Sequence, residues 1–490
     1  MPGQTVFHHR LGSPASSDSR IAESPGPGPW TFAPAVTEDG RYLVLALRHG
    51  SDVKNRILIK DLGRSDAPVT PLLPGDAAYA FVGSDGPVLW FQTDRGAPRG
   101  RVVAVDLRAP SPTSWKELIP KSADTLSMVS VVAGRFVAFY VQAGLPRVRV
   151  FGLDGRLERQ VTLPQLGTTF TGFTGLRSHR QAFTNVNSVA QPGAPYRFDP
   201  ATGAFTPFRR LSLSFDPEGF VLEQVFYPGK DGTRIPMFLA YRRGLDPKAG
   251  HPALVYGYGA FGWSAFPWFQ PHVLVFLEQG GIYALPGIRD GGENGEAWHQ
   301  AGAKRNKQTS IDDFLAALEW LVAQGYTTRD RLAVQGGSAS GLLAGAAMVQ
   351  RPDLFRAALV DIPVLDMLRF DRFTAGARWV PEFGSPADPE DLRVLRAWSP
   401  YHNLKAGTCY PAALIVAGER DETATPAHAY KFAAALQAAQ ACDRPVLLKV
   451  AWGAGHSLGA TPEATRETEA AQLAFLLREL GMRATPAPPS

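Results

Sequence analysis

The sequence predicts two domains of different architecture: an all-β domain over 1–213 and, over 214–490, a domain in which helices cover a parallel β-sheet. Three observations support this division. The chain has 490 residues, which is too long for one hydrophobic core. The first half repeats a strand pattern at a regular interval. The second half alternates short apolar strands with helical segments.

Four similar segments make up most of the first half. Each contains a turn, an apolar strand, a Gly/Pro break, a second strand and a further turn, and they begin near Asp39, Asp85, Ala133 and Ser178. Successive starts lie about 45 to 48 residues apart, a spacing typical of four-stranded propeller blades. We therefore expect a propeller-like domain.

The second half begins near Phe215 with two strands joined by a Lys-Asp-Gly turn. The stretches PALVYGYG, GIYALPGI, RLAVQGG, ALIVAG and PVLLKVAW predict further strands, and TSIDDFLAALEWLVAQG predicts a helix. Strands and helices that alternate in this way indicate a parallel sheet covered on both faces.

Composition and charge exclude several classes of protein. Apolar residues make up 45% of the chain and charged residues 19%, a balance typical of globular domains. The formal charge of +5 is spread along the sequence rather than gathered into basic blocks, so we expect no nucleic-acid partner. No apolar stretch reaches the roughly 18 residues of a membrane-spanning helix, so we expect no membrane partner.

The cysteines and the amino-terminal residues bear on the cellular compartment. Cys409 and Cys442 stand in neither a C-x-x-C motif nor a metal-binding spacing, and we predict two free, partly buried thiols, with a disulfide as the less favoured alternative. The start MPGQTVFHHRLGSP lacks the apolar region of a secretory signal. These features favour the cytoplasm; a signal on a missing amino terminus would instead place the protein in the periplasm or outside the cell. The sequence leaves the oligomeric state open.

A Gly-rich turn, QGGSASGLLAG, lies between a predicted strand and a predicted helix. This is the context of a nucleophile elbow, a strained turn of α/β-hydrolases in which the residues two before and two after the nucleophile are small. Gly336 and Ser340 satisfy that requirement around Ser338, whereas a turn centred on Ser340 would place Leu342 at a flank. The spacing therefore favours Ser338 as the nucleophile of an α/β-hydrolase domain.

A serine hydroxyl needs a base to take its proton and a carboxylate to orient that base. In an α/β-hydrolase the acid and then the histidine follow the serine in sequence, each after a late strand. The stretch ALIVAGERDETATP supplies Glu419, Asp421 and Glu422, and His456 follows the next predicted strand in a Gly-rich loop. This order predicts His456 as the base and leaves the acid open among the three carboxylates.

The tetrahedral intermediate of such a reaction also needs hydrogen-bond donors for its oxyanion. We expect one donor to be the backbone N–H of Ala339, directly after the nucleophile. A second donor must come from the end of an earlier strand. There VYGYGAFGW offers Tyr256, Tyr258 and several backbone amides.

A series of motifs occurs in the second half in the same order as in a known family. They include FYPGKDGTRIPMF, YGYGAFG, GIRDGGENGEAWHQAG, GGSASGLLAG, ARWVPEFG and GERDETATPAHAYKFAAALQ, and they cover nearly all of 215–480. This half resembles the prolyl oligopeptidase family of serine peptidases, which joins a β-propeller to an α/β-hydrolase domain. VFHHRLG and DGRYLVLALRHGSDVKNRI are similar to later propeller blades of that family. The resemblance implies a peptidase that needs neither a metal nor a cofactor.

The resemblance also implies a role for each candidate residue. Ser338 would be the nucleophile, His456 the general base and acid, and Asp421 the orienting carboxylate, with Pro426 five residues after it fixing the register. Tyr258 would donate its hydroxyl to the oxyanion.

A pocket for the proline ring at P1, the substrate residue before the cleaved bond, follows from the same resemblance. Trp379 would stack on the ring. The apolar residues that would complete the pocket are Phe261, Val364 and Phe383.

The chain departs from the family pattern in three places. Ser340 stands where the family usually has glycine, and we expect a modest loss of elbow geometry. Thr423 stands where the family commonly has an arginine that helps to hold the peptide, so we expect weaker peptide anchoring. We also expect the family's amino-terminal segment and first blades to be absent, which would leave an incomplete propeller of about four to five blades.

The predicted function is that of a serine endopeptidase or oligopeptidase that hydrolyses short peptides on the C-terminal side of proline through an acyl-enzyme. Thr423 keeps one alternative open, an esterase or a peptidase with a different P1 preference. The expected loss of blades keeps another open, a catalytically defective remnant whose propeller strands bind a partner.

Overall fold

The computed structural model describes residues 3–169, 172–209 and 211–483, in which an all-β region precedes an α/β region. Within these ranges the all-β region forms five antiparallel sheets, three of them with four strands. The strands of each four-stranded sheet pair in chain order, as in a propeller blade. The prediction of an incomplete ring stays a prediction.

The bounds of the strands follow the repeated pattern. The two-stranded sheet contains β1 (Thr5–His8) and β2 (Ser19–Glu23). The four-stranded sheets contain β3 (Trp30–Val36), β4 (Tyr42–His49), β5 (Asn55–Asp61) and β6 (Thr70–Leu73); β7 (Tyr79–Asp85), β8 (Val88–Thr93), β9 (Arg101–Asp106) and β10 (Lys116–Ile119); and β11 (Thr125–Val132), β12 (Arg135–Gln142), β13 (Leu145–Gly152) and β14 (Leu157–Val161). The three-stranded sheet contains β15 (Ala182–Ser188), β16 (Gln191–Asp199) and β17 (Ala204–Pro207).

Alternation along the strands produces the cores between these sheets. In β13, Val148 and Val150 are buried, whereas the intervening Arg149 is only partly buried. Successive side chains of a strand point to opposite faces, so the valines enter a core with Phe139 and the arginine faces the other side. The three-stranded and four-stranded sheets therefore bury apolar side chains against their neighbours.

The α/β region is built on one eight-stranded sheet with the strand order β18-β19-β21-β20-β22-β23-β24-β25. The first three strands in this order pair antiparallel and the others pair parallel. Their bounds are β18 (Phe220–Pro228), β19 (Arg234–Arg242), β20 (Ala253–Tyr256), β21 (Ile282–Pro286), β22 (Leu332–Gly337), β23 (Ala357–Asp361), β24 (Ala412–Gly418) and β25 (Val446–Ala451).

Helices cover both faces of this sheet. Leu254 and Leu359 point to the face covered by α1 and α8, whereas their chain neighbours Val255 and Val360 point to the face covered by α3, α4 and α7. The helices are α1 (Pro271–Glu278), α2 (Glu296–Gln300), α3 (Lys307–Ala323), α4 (Ala339–Gln350), α5 (Val380–Phe383), α6 (Pro389–Trp398), α7 (Ala427–Ala439) and α8 (Pro462–Glu479). Of the helices in the described ranges, none has the length and apolar character to cross a lipid bilayer.

The two regions contact each other directly. The Ser51 N–H donates to the Arg378 carbonyl at 2.7 Å, and the Glu296 N–H donates to the Pro98 carbonyl at 3.1 Å. A cavity of 330 Å³ lies at this interface, with Asp94 on the propeller side.

The prediction of two free thiols is wrong, because Cys409 and Cys442 form a disulfide. The cysteines are 33 residues apart in sequence, but each lies just before a strand of the parallel sheet, Cys409 before β24 and Cys442 before β25. Adjacent parallel strands place their amino ends side by side, which brings the two sulfurs together.

Replacing both Cys409 and Cys442 with alanine should lower the free energy of unfolding by about 3 to 4 kcal/mol. The reason is that the disulfide joins residues 33 positions apart and so restricts the unfolded chain. Urea denaturation followed by circular dichroism measures the loss. Wild type treated with a reductant is the control and should unfold at the same urea concentration as the double variant. Equal midpoints for the double variant and the untreated wild type would contradict the prediction.

Candidate active site

The Gly-rich turn joins β22 to α4 as a sharp elbow centred on Ser338. Ser338 has φ 57° and ψ −122°, a strained backbone conformation for a residue with a side chain. Its amide donates to the Asp361 carbonyl at 2.9 Å, and its carbonyl accepts the Val364 N–H at 3.3 Å. Bonds to the end of β23 and to the loop after it thus hold the strained residue in place.

Small residues are required on both sides of this turn. A Cβ added at Gly336 would lie 2.0 Å from the Ser340 carbonyl oxygen. The Ser340 side chain forms two hydrogen bonds with the backbone of Gly337. The Gly337 N–H donates to Ser340 Oγ at 2.8 Å, and the Ser340 hydroxyl donates to the Gly337 carbonyl at 2.8 Å. Serine at this position therefore braces the turn.

Changing Gly336 to alanine should destabilise the fold by roughly 2 kcal/mol or more, because backbone atoms cannot yield as a side chain can. Chemical denaturation of the purified variant tests this. Gly232 is the matched control: a Cβ there meets no heavy atom within 4 Å, so that Gly232→Ala has only the cost of its positive φ. A Gly336→Ala protein as stable as wild type would show that the turn can open.

The structure brings Ser338, His456 and Asp421 into one hydrogen-bonded chain. Ser338 Oγ lies 3.0 Å from His456 Nε2, and His456 Nδ1 lies 2.7 Å from Asp421 Oδ2. The other carboxylate oxygen, Oδ1, accepts the N–H groups of Thr423 and Ala424, each at 2.8 Å. The buried carboxylate is therefore fixed by the backbone and faces the imidazole with one oxygen.

The topology of the sheet accounts for this meeting. Ser338, Asp421 and His456 follow β22, β24 and β25, and parallel strands place their carboxyl ends at one edge of the sheet. The other two candidate acids lie elsewhere: Glu419 accepts the Gly453 N–H at 2.8 Å, and Glu422 is exposed.

Tyr258 and Ala339 are the predicted oxyanion donors. The N–H of Ala339 is the first of helix α4, and helices leave such amides without an intrahelical acceptor. Tyr258 stacks on Trp263 with 5.6 Å between ring centroids, and burial raises its pKa above the usual value, so that its hydroxyl keeps a proton to donate. Tyr256 lies beside the elbow, with its hydroxyl 3.4 Å from Ser340 Oγ. The assignment of both donors stays a prediction.

The four residues predicted for the P1 pocket lie in one apolar cluster. The rings of Phe261 and Phe383 meet edge to face, 5.7 Å apart, with Phe383 buried. Val364 follows β23 and bonds to the carbonyl of Ser338. Trp379 packs against the same cluster from the residue before α5. We call these four residues the P1 recess; that they form a pocket for a proline ring stays a prediction.

Four buried charged side chains beside this recess were not found from the sequence. They are Asp290, His299, Lys307 and Glu382. Lys307 Nζ lies 2.6 Å from Asp290 Oδ2, and His299 Nε2 lies 3.0 Å from Glu382 Oε2. Such residues appear in sequence as ordinary surface charges. The available signal was that Asp290 and His299 fall within the motif GIRDGGENGEAWHQAG and Glu382 within ARWVPEFG.

This charged cluster also brings together side-chain atoms of the kinds that bind metals. Donor atoms of Asp290, His299 and Glu382 lie within 4.8 Å of one another. The ammonium of Lys307 already balances Asp290, and the bonds of His299 raise its pKa to about 10 against the effect of burial. Two cationic side chains thus balance the two carboxylates, which disfavours a divalent ion.

The arrangement of Ser338, His456 and Asp421 can perform acyl transfer. An imidazole at hydrogen-bond distance from a serine hydroxyl can accept its proton, and a carboxylate on the other ring nitrogen stabilises the imidazolium that forms. The Ala339 amide lies directly after Ser338, where an N–H can stabilise an oxyanion.

Comparisons with known proteins agree with this chemistry. The sequence model described as "Prolyl oligopeptidase family" matches residues 267–483. The one described as "Prolyl oligopeptidase, N-terminal beta-propeller domain" matches residues 2–210. The first model contains the elbow, and the second covers nearly all of the all-β region.

Two curated relatives are similar over almost the whole of this chain. Prolyl endopeptidase of Elizabethkingia miricola is 37% identical over 480 residues, covering 98% of this chain and 68% of its own. Prolyl oligopeptidase A of Amanita bisporigera is 32% identical over 496 residues, covering 97% of this chain and 64% of its own.

Solved structures agree in fold. A prolyl endopeptidase structure with 37% identity superposes with a TM-score of 0.92, covering 98% of this chain and 70% of the other. Prolyl oligopeptidase B of Galerina marginata, bound to a 35-residue hydrolysis and macrocyclization substrate, superposes with the same TM-score at 29% identity, covering 98% and 69%. The chain therefore belongs to the prolyl oligopeptidase family of serine peptidases.

Proposed function

We propose that the protein hydrolyses short peptides on the C-terminal side of proline through an acyl ester on Ser338. The observation that carries the proposal is the hydrogen-bonded chain of Ser338, His456 and Asp421. The names of the relatives, prolyl endopeptidase and prolyl oligopeptidase, support the choice of proline.

In the first half of the proposed reaction, His456 Nε2 takes the Ser338 proton as Oγ attacks the carbonyl carbon of proline. The Ala339 amide and the Tyr258 hydroxyl stabilise the oxyanion that forms. The imidazolium then gives the proton to the departing amine, the C–N bond breaks, and an ester to Ser338 remains.

In the second half, water attacks the ester while His456 takes one of its protons. The tetrahedral intermediate collapses, the bond to Oγ breaks, and the imidazolium returns the proton to Ser338. The products are a peptide with a carboxyl-terminal proline and the amine released earlier. Asp421 stays ionised throughout and stabilises the imidazolium.

The recess accounts for the preference in this proposal. Proline is a compact, apolar ring, and the flat face of Trp379 offers it a stacking surface. In this proposal Phe261, Val364 and Phe383, which share one apolar cluster, supply the remaining walls. No charge or hydrogen bond to the ring is required, so shape selects it.

A second candidate is an esterase or a peptidase with another P1 preference, favoured by Thr423. Its amide donates to Asp421 and its carbonyl accepts the Thr374 hydroxyl, so its backbone braces the acid loop. A threonine side chain cannot supply the bidentate grip of a guanidinium on a peptide.

Hydrolysis of a proline anilide and of a simple aryl ester by the purified chain separates the two candidates. We expect the ratio of kcat/KM for the anilide to that for the ester to fall sharply when alanine replaces proline in the anilide. A fluorophosphonate probe should label wild type. Equal, weak labelling of wild type and Ser338→Ala would favour a non-catalytic protein that binds a partner.

The compartment and the partners are also proposals. We propose short peptides as substrates and no nucleic-acid or membrane partner.

The Cys409–Cys442 disulfide supports the periplasmic or secreted location over the cytoplasm that the sequence favours, because disulfides persist in oxidising compartments. Alkylation of free thiols in intact cells, followed by mass spectrometry, tests this: alkylated Cys409 would favour the cytoplasm.

A further inference from the structure

The loop after β20 carries Phe261, a proposed wall of the P1 recess, in a strained conformation. Phe261 has a φ of 58°, a region that bulky side chains rarely adopt. Its N–H donates to Glu382 Oε1 at 2.7 Å. Glu382 is only 2% exposed, so its carboxylate has few competing donors from solvent. A strong, charge-assisted hydrogen bond therefore holds Phe261 in a backbone geometry that it would not adopt alone.

The same carboxylate is oriented by a protonated imidazole. Glu382 Oε2 lies 3.0 Å from His299 Nε2, and His299 Nδ1 lies 3.1 Å from Glu296 Oε2. Burial opposes a charge on this ring, but the bonds to Glu296 and Glu382 raise the pKa of His299 to about 10. Both ring nitrogens therefore carry protons near neutral pH, and each donates to one carboxylate.

Lys307 fixes the loop at a second point. Its ammonium donates to the Gly259 carbonyl at 2.7 Å and to Asp290 at 2.6 Å. The same ammonium lies 5.2 Å from the centre of the Phe383 ring, the ring that Phe261 meets edge to face. The backbone from Gly259 to Phe261 is thus held at one carbonyl and one amide by different charged side chains.

The position of Phe261 matters because dispersion contacts depend steeply on distance. A gap of roughly 0.5 to 1 Å loses a quarter to a half of the attraction between two atoms. A rigid proline ring cannot follow a wall that moves away. A small shift of Phe261 would therefore cost more for proline than for a flexible or smaller P1 residue.

We propose that Glu382 and His299 are positioning residues that set the width of the P1 recess by holding Phe261 against Phe383, and thereby determine selectivity for proline. This inference rests on the proposed cleavage after proline. Both residues act through Phe261 and not on the reacting atoms. The buried pair is thus assigned a role in specificity.

Glu382→Gln tests the proposal most directly. Glutamine keeps the length of the side chain and an oxygen that can accept the Phe261 N–H, but it removes the charge that pairs with His299. We expect the ratio of kcat/KM for a proline substrate to kcat/KM for its alanine counterpart to fall roughly tenfold, which is the size of effect that one methylene has in an apolar pocket. The change should come mainly from a higher KM for the proline substrate. The rate of hydrolysis of p-nitrophenyl acetate, which has no P1 side chain, should fall less than the rate for the proline substrate.

Glu390→Gln is the matched control. Glu390 is an exposed carboxylate in the first turn of α6 that pairs with Arg305 on the surface. Its variant should keep the wild-type ratio of proline to alanine. A fall equal to that of Glu382→Gln would attribute the effect to net charge and overturn the proposal.

His299→Gln provides a second, independent test, because glutamine can still donate to Glu382 without the positive charge. We expect the same direction of change, and a double variant that loses less than the sum of the single losses. In Glu382→Gln, the His299 ring signals in NMR should titrate at lower pH than in wild type.

The outcomes are distinguishable. Wild-type ratios in a folded Glu382→Gln protein would exclude the positioning role; if that variant does not fold, wild-type ratios in His299→Gln would do so. A wild-type enzyme that does not prefer proline would contradict the proposed function, and this inference with it, because there would be no selectivity to set.

Discussion

Replacing Ser338 with alanine should lower kcat for a proline anilide by roughly 10⁶-fold, the loss expected when the nucleophile of such a triad is removed. Ser338 Oγ is the atom aligned with His456 Nε2, at 3.0 Å. Without it no acyl ester can form, although the oxyanion donors and the recess remain. Single-turnover assays with excess enzyme, together with labelling by a fluorophosphonate, measure the loss.

Ser340→Ala is the matched control, because it removes the other serine hydroxyl of the same elbow. It deletes the bonds between Ser340 Oγ and the backbone of Gly337 but keeps a small side chain. We expect a loss of less than about tenfold in kcat and of roughly 1 to 3 kcal/mol in stability. If Ser340→Ala abolished labelling and Ser338→Ala did not, the nucleophile would have been misassigned.

Asp421→Asn should lower kcat by about 10⁴-fold while the protein stays folded. The N–H groups of Thr423 and Ala424 donate to Oδ1, so the amide oxygen of asparagine will take that place. Its NH2 group then faces His456 Nδ1 and donates to it. The ring proton is forced onto Nε2, and His456 can no longer accept the proton of Ser338.

Steady-state kinetics and circular dichroism on the same preparation test this prediction. Glu422→Gln is the control, because it makes the same kind of change in an exposed neighbour that does not bond to His456. It should retain wild-type kcat. An Asp421→Asn enzyme within tenfold of wild type would mean that His456 is oriented by other groups.

Much of the fold follows from the sequence because its signals are local. The copies that begin near Asp39, Asp85 and Ala133 each supply the central pair of strands of a four-stranded sheet, because alternating valine and leucine fit a half-buried strand. The stretches RLAVQGG and ALIVAG likewise become β22 and β24. By contrast, β23 (Ala357–Asp361) is a short apolar run between two longer motifs and was not predicted.

The three residues of the hydrogen-bonded chain could also be predicted from the sequence. The order of Ser338, Asp421 and His456 along the chain names the three side chains that the structure brings together, because the fold class fixes which strand ends carry them. Their roles stay a prediction until the variants are assayed.

The disulfide and the buried charges could not be predicted, for a physical reason. Both depend on long-range register: Cys409 and Cys442 meet only because β24 and β25 are neighbours, and Glu382 meets His299 across 83 residues of sequence. Sequence patterns indicate which face of a strand or helix a residue occupies. Contacts between residues far apart in sequence depend instead on the order of the strands in the sheet.

The bond from the Ser51 amide to the Arg378 carbonyl links the propeller to the residue just before Trp379. Separating the two domains breaks that bond, next to the surface proposed for the proline ring. If the contact improves the grip on proline, thermodynamic reciprocity requires that a bound proline residue strengthen the contact by the same free energy. A bound substrate would then stabilise the contact between the domains, and its release after cleavage would weaken that contact and favour their separation.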